Sequence, residues 1–327
     1  MGRRNAHPME PRAAGVARPA GDPQPVARVS DKCRSRRSRG CRAMKNLFLI
    51  TGMHRSGTSC VSNLLHRLGI NHGADPELAE AKLDNKHGNW EDRALVSTND
   101  LLLLYRHSFW FDPFNFTSPE SRNDVPEYIL QKIDVVKKHF SASDTRAGMK
   151  DPRLSLTLPF WRSVLSEYDL TLVYVFRRPE FVATSLAMRN SFPFEYGLAL
   201  WEYYVRTAAF GAKGTNCVYV SFDRLLSEPQ ITCKKLADDI GLDLTLNAID
   251  KAIETVVDPK ACTSDPHGAD VPEEVDQLFD ALQSNGLSAL DKSISDVGTH
   301  SWQRYAPTIH SRFLHKKILY LHDRIQQ

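Results

Sequence analysis

The 327-residue sequence lacks the long apolar runs of a membrane protein. A membrane-spanning helix needs roughly 20 consecutive apolar residues, and no stretch of the chain approaches that length. The N-terminus is charged but contains no apolar core segment, so it does not have the pattern of a secretory signal. We therefore expect a cytoplasmic protein with no transmembrane segment.

Cysteine is scarce and shows no paired spacing. The six cysteines are scattered along the chain, with no Cys-x-x-Cys pair and no zinc-ligand spacing. In a chain of this length, such scatter is typical of free thiols in a reducing compartment rather than of a disulfide framework.

Excess positive charge is confined to the first 43 residues. They carry eleven Arg and Lys residues against three acidic residues, a net charge of +8, whereas the remainder has a net charge of −5. That acidic balance argues against nucleic-acid binding by the body of the protein. Residues 1–43 have almost no large apolar side chains, so we expect a disordered extension, with a basic arm for nucleic acid or an anionic membrane as the functional alternative. Met44 directly precedes the first predicted strand and is a candidate for the true start of translation.

The stretch 47–70 has the pattern of a buried strand, a glycine-bounded loop and an amphipathic helix. Such a unit presents backbone N–H groups and a helix N-terminus to a bound anion. The spacing Gly52-x4-Gly57-Thr58-Ser59 resembles a P-loop, but Thr58 stands where a nucleotide-binding P-loop has lysine. The positive charge of the loop is instead at Arg55.

Strands and helices alternate along the rest of the chain. Further strands are predicted at 147–149, 170–176 and 218–220, and helices at 95–105, 125–140, 158–168, 179–188, 194–212, 231–240, 273–283 and 310–325. This order predicts that residues 44–327 form a single domain with a P-loop-NTPase-like three-layer α/β fold, in which helices flank a central parallel sheet.

Positive charge follows three of the predicted strands, at Arg55, at Lys150 and at Arg177-Arg178. Because the carboxyl ends of parallel strands meet at one edge of a sheet, we expect Arg55, Lys150 and Arg177 to converge on a ligand with several anionic groups. A metal-dependent NTPase needs a carboxylate for magnesium at a neighbouring strand end. The strand at 170–176 ends in two arginines instead, which disfavours a kinase or an ATPase, and no metal is expected.

These motifs resemble those of the sulfotransferases that use 3′-phosphoadenosine 5′-phosphosulfate (PAPS). The loop 52–59, GMHRSGTS, is similar to the arginine form of that family's 5′-phosphosulfate loop, found in bacterial and tyrosylprotein sulfotransferases. Arg177, followed eight residues later by Ser185, resembles the family's 3′-phosphate motif, and 220–229 resembles the strand and turn that follow it. The resemblance covers roughly 47–242 and implies transfer of a sulfuryl group from PAPS to an acceptor hydroxyl.

The resemblance also implies roles for the matching residues. The residues that would contact the donor are Gly52, Arg55, Ser56, Gly57, Thr58, Ser59, Arg177 and Ser185. Among them, Arg55 would stabilise charge on the bridging oxygen of the leaving phosphate. Lys150 matches a strand-end lysine that contacts the sulfuryl side in several members. A structural ion pair with Asp151 or Glu91 is the alternative for Lys150, and a surface salt bridge is the alternative for Arg177.

The general base is less well defined. Where some members carry a catalytic histidine two residues after the strand-end lysine, this chain has Asp151-Pro152-Arg153 and departs from the pattern. Glu91 is our first choice, because glutamate-using members carry theirs in the loop after the first helix. Asp92, Asp151 and His54 remain alternatives, and an acidic pair such as 91–92 is also typical of a helix start.

Two further segments are candidates for contacts with the donor and with the acceptor. The family's third donor contact, a late basic loop, corresponds to 258–270, where only Lys260 is basic. The aromatic cluster at 109–116 is either a core edge or a platform for a flat acceptor. We expect a carbohydrate or small-metabolite acceptor; the alternatives are a P-loop small-molecule kinase and a degenerate member kept as an interaction module. Nothing in the sequence indicates the oligomeric state.

Overall fold

The computed structural model describes residues 45–73, 88–141, 146–258, 266, 268 and 270–290. The predicted N-terminal extension, Met44, Lys260 and the helix predicted at 310–325 lie outside the described residues.

The described residues form a four-stranded parallel sheet. Its strands are β1 (Asn46–Thr51), β2 (Ala147–Lys150), β3 (Asp169–Phe176) and β4 (Asn216–Ser221). Their spatial order is β2-β1-β3-β4, and Leu49 of β1 lies opposite Met149 on one side and Leu172 on the other. The central strand therefore leads directly into the glycine-bounded loop, as the sequence predicted.

Helices surround the sheet. They are α1 (Thr58–Arg67), α2 (Arg93–Tyr105), α3 (Glu127–Ser141), α4 (Leu154–Val164), α5 (Pro179–Asn190), α6 (Phe194–Gly211), α7 (Phe222–Ser227), α8 (Pro229–Asp239), α9 (Leu246–Val256) and α10 (Glu273–Asn285), with short 3-10 turns at Arg122–Asp124 and Gly286–Leu290.

Each face of the sheet is covered by its own hydrophobic core. Side chains alternate along a strand, so Leu47 and Leu49 pack with α2 to α6 and α10, whereas Phe48 and Ile50 pack with α1, α8 and α9. A parallel sheet buried on both faces is a three-layer α/β arrangement, and the predicted fold class is confirmed.

The bounds of α4 differ from the prediction. The helix was expected at 158–168, which would put Pro159 in its first turn. In the structure α4 begins at Leu154 and carries Pro159 within it. Two contacts accompany the earlier start: Asp151 Oδ1 accepts a hydrogen bond from the Arg153 N–H at 2.9 Å, and Ser155 Oγ lies 2.9 Å from Thr51 Oγ1 at the end of β1.

Two helices were not predicted. The short α7 follows β4 immediately, in the segment that was interpreted as a turn. Helix α9 did carry a sequence signal: Thr245 caps its N-terminus by accepting a hydrogen bond from the Ala248 N–H, and Ile249, Ile253 and Val256 follow at helical spacing on the buried side.

Candidate anion-binding and active site

The loop between β1 and α1 packs so closely against its neighbours that it requires glycine at both ends. Gly52 has φ 155°, and a Cβ there would lie 1.9 Å from the Val175 carbonyl oxygen of β3. Gly57 has φ 87°, and its Cβ would lie 2.2 Å from the Phe222 ring. Positive φ and lack of space both exclude larger residues, so the loop backbone is held against the carboxyl end of the sheet.

The inner side of this loop is suited to an anion. Gly57 is the N-cap of α1 and provides no side-chain cap, so the partial positive charge of the helix N-terminus is not offset there. Ser56 is fully buried, and its Oγ has no hydrogen-bond partner among the described residues. Arg55 adopts the left-handed conformation with φ 71°, which is uncommon for a residue other than glycine and is concentrated at functional sites. These features fit a phosphate or phosphosulfate group.

The two anion motifs meet at this loop. Arg55 Nε donates a hydrogen bond of 2.8 Å to Ser185 Oγ of α5, a residue 130 positions away in the sequence. Arg177 Nη1, at the end of β3, donates to the Arg55 carbonyl oxygen at 3.4 Å. The structure thus brings together three residues that the sequence assigned to two separate phosphate groups.

Arg177 is held in place by aromatic neighbours. Its side chain is only 7% exposed, and its guanidinium lies over the rings of Phe181 and Phe222, at 5.0 and 5.5 Å. The Trp201 indole N–H donates to the Arg177 carbonyl oxygen at 3.0 Å. The adjacent Arg178, in contrast, is 46% exposed and pairs with Glu180. Arg177 is therefore the inward-facing arginine of the pair.

Asp223 is the carboxylate nearest to Arg177, with Oδ1 3.9 Å from Arg177 Nε. Burial raises the pKa of Asp223, while the hydrogen bond from the Arg178 backbone N–H and the charge of Arg177 act in the opposite direction. Asp223 lies within the segment 220–229 that resembles the family's strand and turn, but no role was predicted for it, and its helix α7 was not predicted.

Lys150 is enclosed between the loop 52–59 and the segment 88–92. Its ammonium donates to Glu91 Oε1 at 2.6 Å, to the Asn89 carbonyl oxygen at 2.8 Å and to Ser59 Oγ at 3.1 Å. The structure therefore contains the Lys150–Glu91 ion pair that was the alternative to a catalytic role, and it also places that pair at the loop.

Two of the other candidate bases have structural partners. Asp92 caps α2 by accepting a hydrogen bond from the Leu95 N–H at 2.9 Å, and its second oxygen lies 2.7 Å from His139 Nδ1. Asp151 is completely buried and accepts hydrogen bonds from Asn99 Nδ2 at 2.8 Å and from Arg153 Nη1 at 3.0 Å. Both carboxylates therefore hold other parts of the structure in place: Asp92 the N-terminus of α2, and Asp151 the side chains of Asn99 and Arg153.

His54 lies against aromatic rings, with its centroid 4.4 Å from Trp110 and 5.9 Å from Tyr204. Burial lowers the pKa of His54 well below its ordinary value, and the nearby positive charges, above all Arg153 and Arg189, lower it further. The ring is thus neutral at physiological pH. Its Nε2 is buried and has no hydrogen-bond partner among the described residues.

The aromatic segment 109–116 is mostly core. Phe109, Phe111, Phe114 and Phe116 are buried, and Trp110 is the partly exposed member beside His54. The Tyr204 hydroxyl donates to the Trp110 carbonyl oxygen at 2.8 Å and fixes this turn.

We expect His72 to make the stability of the protein depend on pH. The ring is buried near Trp90, and burial lowers the pKa of His72 from 6.5 to about 4. The unfolded chain therefore takes up a proton first as the pH falls, so the stabilisation is complete above pH 6.5 and is lost between 6.5 and 4. Through this group alone, the free energy of unfolding should fall by about 2 kcal/mol from pH 7.5 to pH 5.

Urea unfolding at the two pH values checks this expectation. His72→Asn should show a smaller fall than the wild type, with a part remaining because His54 titrates in the same direction. His107→Asn, at an exposed position, is the matched control and should follow the wild type. An equal fall in His72→Asn and the wild type would contradict the prediction.

Three further observations, on membrane spans, metal ligands and cysteines, apply to all residues that the structure describes. None of their helices is both long and apolar enough to cross a membrane. Within the same residues, no three His, Cys, Asp or Glu side chains are grouped to hold a metal ion. Cys60, Cys217 and Cys233 are free thiols.

The fold and the loop define this chain as an α/β protein with a P-loop-like loop after its first strand. No protein-family model matches its sequence, and no curated protein matches it. The structure is similar to solved sulfotransferases. STF9 from Mycobacterium avium shares 14% identity with a TM-score of 0.48, over 74% of this chain and 77% of that chain. The sulfotransferase domain from the curacin biosynthetic pathway shares 11% identity with a TM-score of 0.46, over 74% of this chain and 99% of that chain.

Mouse SULT7A1, solved in complex with PAP, shares 12% identity with a TM-score of 0.40, over 76% of this chain and 89% of that chain. All three structures carry the name of the family that the motifs resemble.

Proposed function

We propose that residues 44–327 form a PAPS-dependent sulfotransferase that transfers a sulfuryl group to the hydroxyl of a carbohydrate or small metabolite. The observation that carries the proposal is the 2.8 Å hydrogen bond between Arg55 and Ser185, with Arg177 bound to the Arg55 carbonyl oxygen. Two anion-binding motifs, one on the loop and one on β3 and α5, thereby surround one site. A ligand with phosphate groups at both ends of a ribose suits such a pair.

The loop residues would hold the 5′ end of the donor. Gly52 and Gly57 let the loop backbone pack against β3 and Phe222. Ser56 and Thr58 would offer hydroxyl and N–H donors, and Ser59 its N–H, at the N-terminus of α1. Arg177 and Ser185 would hold the 3′-phosphate. The Phe181 and Phe222 rings around Arg177 support this role, because they restrict the orientation of the guanidinium.

When bound, PAPS supplies a sulfuryl group that is already attached to a good leaving group, the 5′-phosphate. Arg55 is placed to stabilise the charge that develops on the bridging oxygen. Lys150 bonds to Ser59 of the loop, and its ammonium would stabilise the transferred oxygens if the sulfuryl group binds on that side.

Glu91 is our proposed general base. Asp92 and Asp151 are occupied in capping α2 and in orienting Arg153. A protonated His54 would be opposed by the surrounding arginines. Glu91, at 19% side-chain exposure, is the candidate that retains access to solvent beside Lys150.

PAP, the donor without its sulfuryl group, should raise the melting temperature in the absence of magnesium. At 100 times its dissociation constant, the expected rise is about 5 to 10 °C, from a stabilisation of about 2.7 kcal/mol. ATP should produce no comparable rise with or without magnesium, because the loop lacks the P-loop lysine and β3 ends in arginines. Differential scanning fluorimetry measures both.

Arg177→Ala should lose most of the PAP shift, whereas Arg178→Ala, at the exposed neighbour, should keep it. Stabilisation by magnesium and ATP, but not by PAP, would reject the sulfotransferase and support the kinase. Stabilisation by neither nucleotide would support a degenerate fold that has lost its donor site.

The acceptor is to be found by a screen with labelled PAPS against carbohydrates and small hydroxyl compounds. Incorporation of label into one class identifies the acceptor chemistry.

The free thiols at Cys60, Cys217 and Cys233 support placing this activity in the reducing environment of the cytoplasm.

A further inference from the structure

The Lys150 ammonium is saturated. A lysine ammonium has three N–H donors, and Lys150 has three acceptors within 3.1 Å: Glu91 Oε1, the Asn89 carbonyl oxygen and Ser59 Oγ. Its side chain is 1% exposed, so water does not compete for these bonds. Any further acceptor, including an oxygen of a sulfuryl group, can bind Lys150 only if one of the three is released.

Two of the three acceptors belong to the segment 88–92, which also binds the loop through a second contact. Ser59 Oγ donates to the Asn89 carbonyl oxygen at 3.1 Å, so the same carbonyl receives both Ser59 and Lys150. Gly88 and Trp90 on either side of Asn89 have φ of 78° and 56°. A tryptophan in the left-handed region is unfavourable unless its surroundings hold it. This segment is therefore held against the loop by Lys150 and Ser59.

Of the three acceptors, Glu91 is the one suited to leave. The Asn89 carbonyl oxygen and Ser59 Oγ are bonded to each other, whereas the Glu91 side chain is 19% exposed and reaches solvent when it moves away. A buried ammonium without a counter-charge is strongly unfavourable. The departure of Glu91 is thus favourable only when another anion takes its place at Lys150.

We propose that Lys150 exchanges Glu91 for the donor's sulfuryl group, and that this exchange frees Glu91 to act as the base. The inference rests on the proposed function. In the resting enzyme, Lys150 binds the Glu91 carboxylate, which therefore cannot act as the base. Once a sulfuryl oxygen binds Lys150, the carboxylate is released next to the reacting centre. Donor binding thus makes the base available.

The transfer step forms one bond to sulfur and breaks another. The acceptor oxygen forms a bond to sulfur as its proton passes to the Glu91 carboxylate. The bond between sulfur and the bridging oxygen breaks, and its electron pair remains on that oxygen as part of the 5′-phosphate, beside Arg55. The acceptor is thereby activated only when the donor is in place, so the enzyme should bind the donor before it activates the acceptor.

Glu91→Gln tests the exchange, because glutamine keeps the size of the side chain but removes the charge that competes for Lys150. Dissociation constants for PAPS and for PAP, measured by titration calorimetry without acceptor, separate the two groups, since only PAPS carries the sulfuryl. We expect Glu91→Gln to bind PAPS about tenfold more tightly, the scale of one charged hydrogen bond, with PAP affinity changed less than about twofold. Sulfuryl transfer to the acceptor should fall by about 100-fold or more through loss of the base.

Glu254→Gln, an exposed carboxylate on α9, is the matched control and should leave both affinities and the rate unchanged. If Glu91→Gln proves too unstable to measure, Glu91→Asp, which keeps the charge but shortens the reach, should show the same selective gain for PAPS to a smaller degree. An ion pair with only a structural role predicts a lower melting temperature with unchanged or weaker PAPS binding, and that result would overturn the exchange. If PAP binds neither the wild type nor the variants, the proposed function fails instead.

Discussion

Replacing Arg55 by alanine is expected to lower the rate of sulfuryl transfer by about 10³-fold, the effect of removing a preorganised charge from a transition state. Arg55 is the cation of the loop, and its guanidinium is oriented by Ser185 on one side while its carbonyl oxygen binds Arg177 on the other. The substitution removes charge stabilisation where the bridging oxygen becomes negative. It leaves the loop backbone and Arg177 in place, so binding of PAP should weaken far less than the rate falls.

The measurement is the single-turnover rate with labelled PAPS and the acceptor from the screen, together with the dissociation constant of PAP. Arg55→Lys should retain part of the rate, because it keeps the charge but loses the planar geometry that bonds to Ser185. Arg67→Ala, at the exposed end of α1, should have no effect on either quantity. An unchanged rate in Arg55→Ala would rule out the proposed catalytic role of this residue.

Replacing Gly52 by alanine is expected to have the largest effect on stability. The new Cβ would lie 1.9 Å from the Val175 carbonyl oxygen, and φ at this position is 155°. That carbonyl belongs to β3 in the centre of the sheet and cannot move without disturbing the ladders on both sides. We expect a loss of about 4 kcal/mol or more, with loss of PAP binding in any protein that still folds.

Gly241→Ala is the matched control, since Gly241 also has a positive φ of 68° but a Cβ there has nothing within 4 Å. It should cost about 1 to 2 kcal/mol, the conformational term alone. Urea unfolding of both variants separates the conformational term from the steric one. Equal losses in the two variants would show that the approach to β3 is not the reason for glycine at position 52.

Strand identity was accessible from the sequence, whereas several helix bounds were not. The runs at 47–50 and 170–176 are apolar throughout, which is typical of strands buried on both faces, and both form the centre of the sheet. The start of α4 was missed although Asp151 Oδ1 accepts a hydrogen bond from the Arg153 N–H, which is a local sign of a helix start. The contact between Ser155 and Thr51, about 100 residues earlier in the chain, is not visible in the local sequence. Helix α9 was within reach, because its cap and its apolar spacing are local features.

In the site, too, some residues could be predicted from the sequence and others only from the folded structure. The convergence of Arg55 and Arg177 was expected, because the carboxyl ends of parallel strands meet at one edge of the sheet, whereas Ser185 was named only through the resemblance to the sulfotransferase motif. The neighbours that orient them were not identified. Phe181 and Phe222 are ordinary apolar residues in the sequence, and Asn89 acts through its backbone carbonyl, which carries no side-chain signal at all.

The choice among candidate bases also required the fold. Glu91, Asp92 and Asp151 are equivalent as carboxylates in a sequence, and only their partners distinguish them: a helix N-terminus for Asp92, a buried arginine for Asp151 and Lys150 for Glu91. Local spacing was enough to place a P-loop-like loop, with arginine in place of lysine, on a parallel sheet, because periodicity and turn chemistry act between neighbours in the chain. Which charges meet, and which are already occupied, depends on contacts between distant segments, and these exist only once the chain has packed.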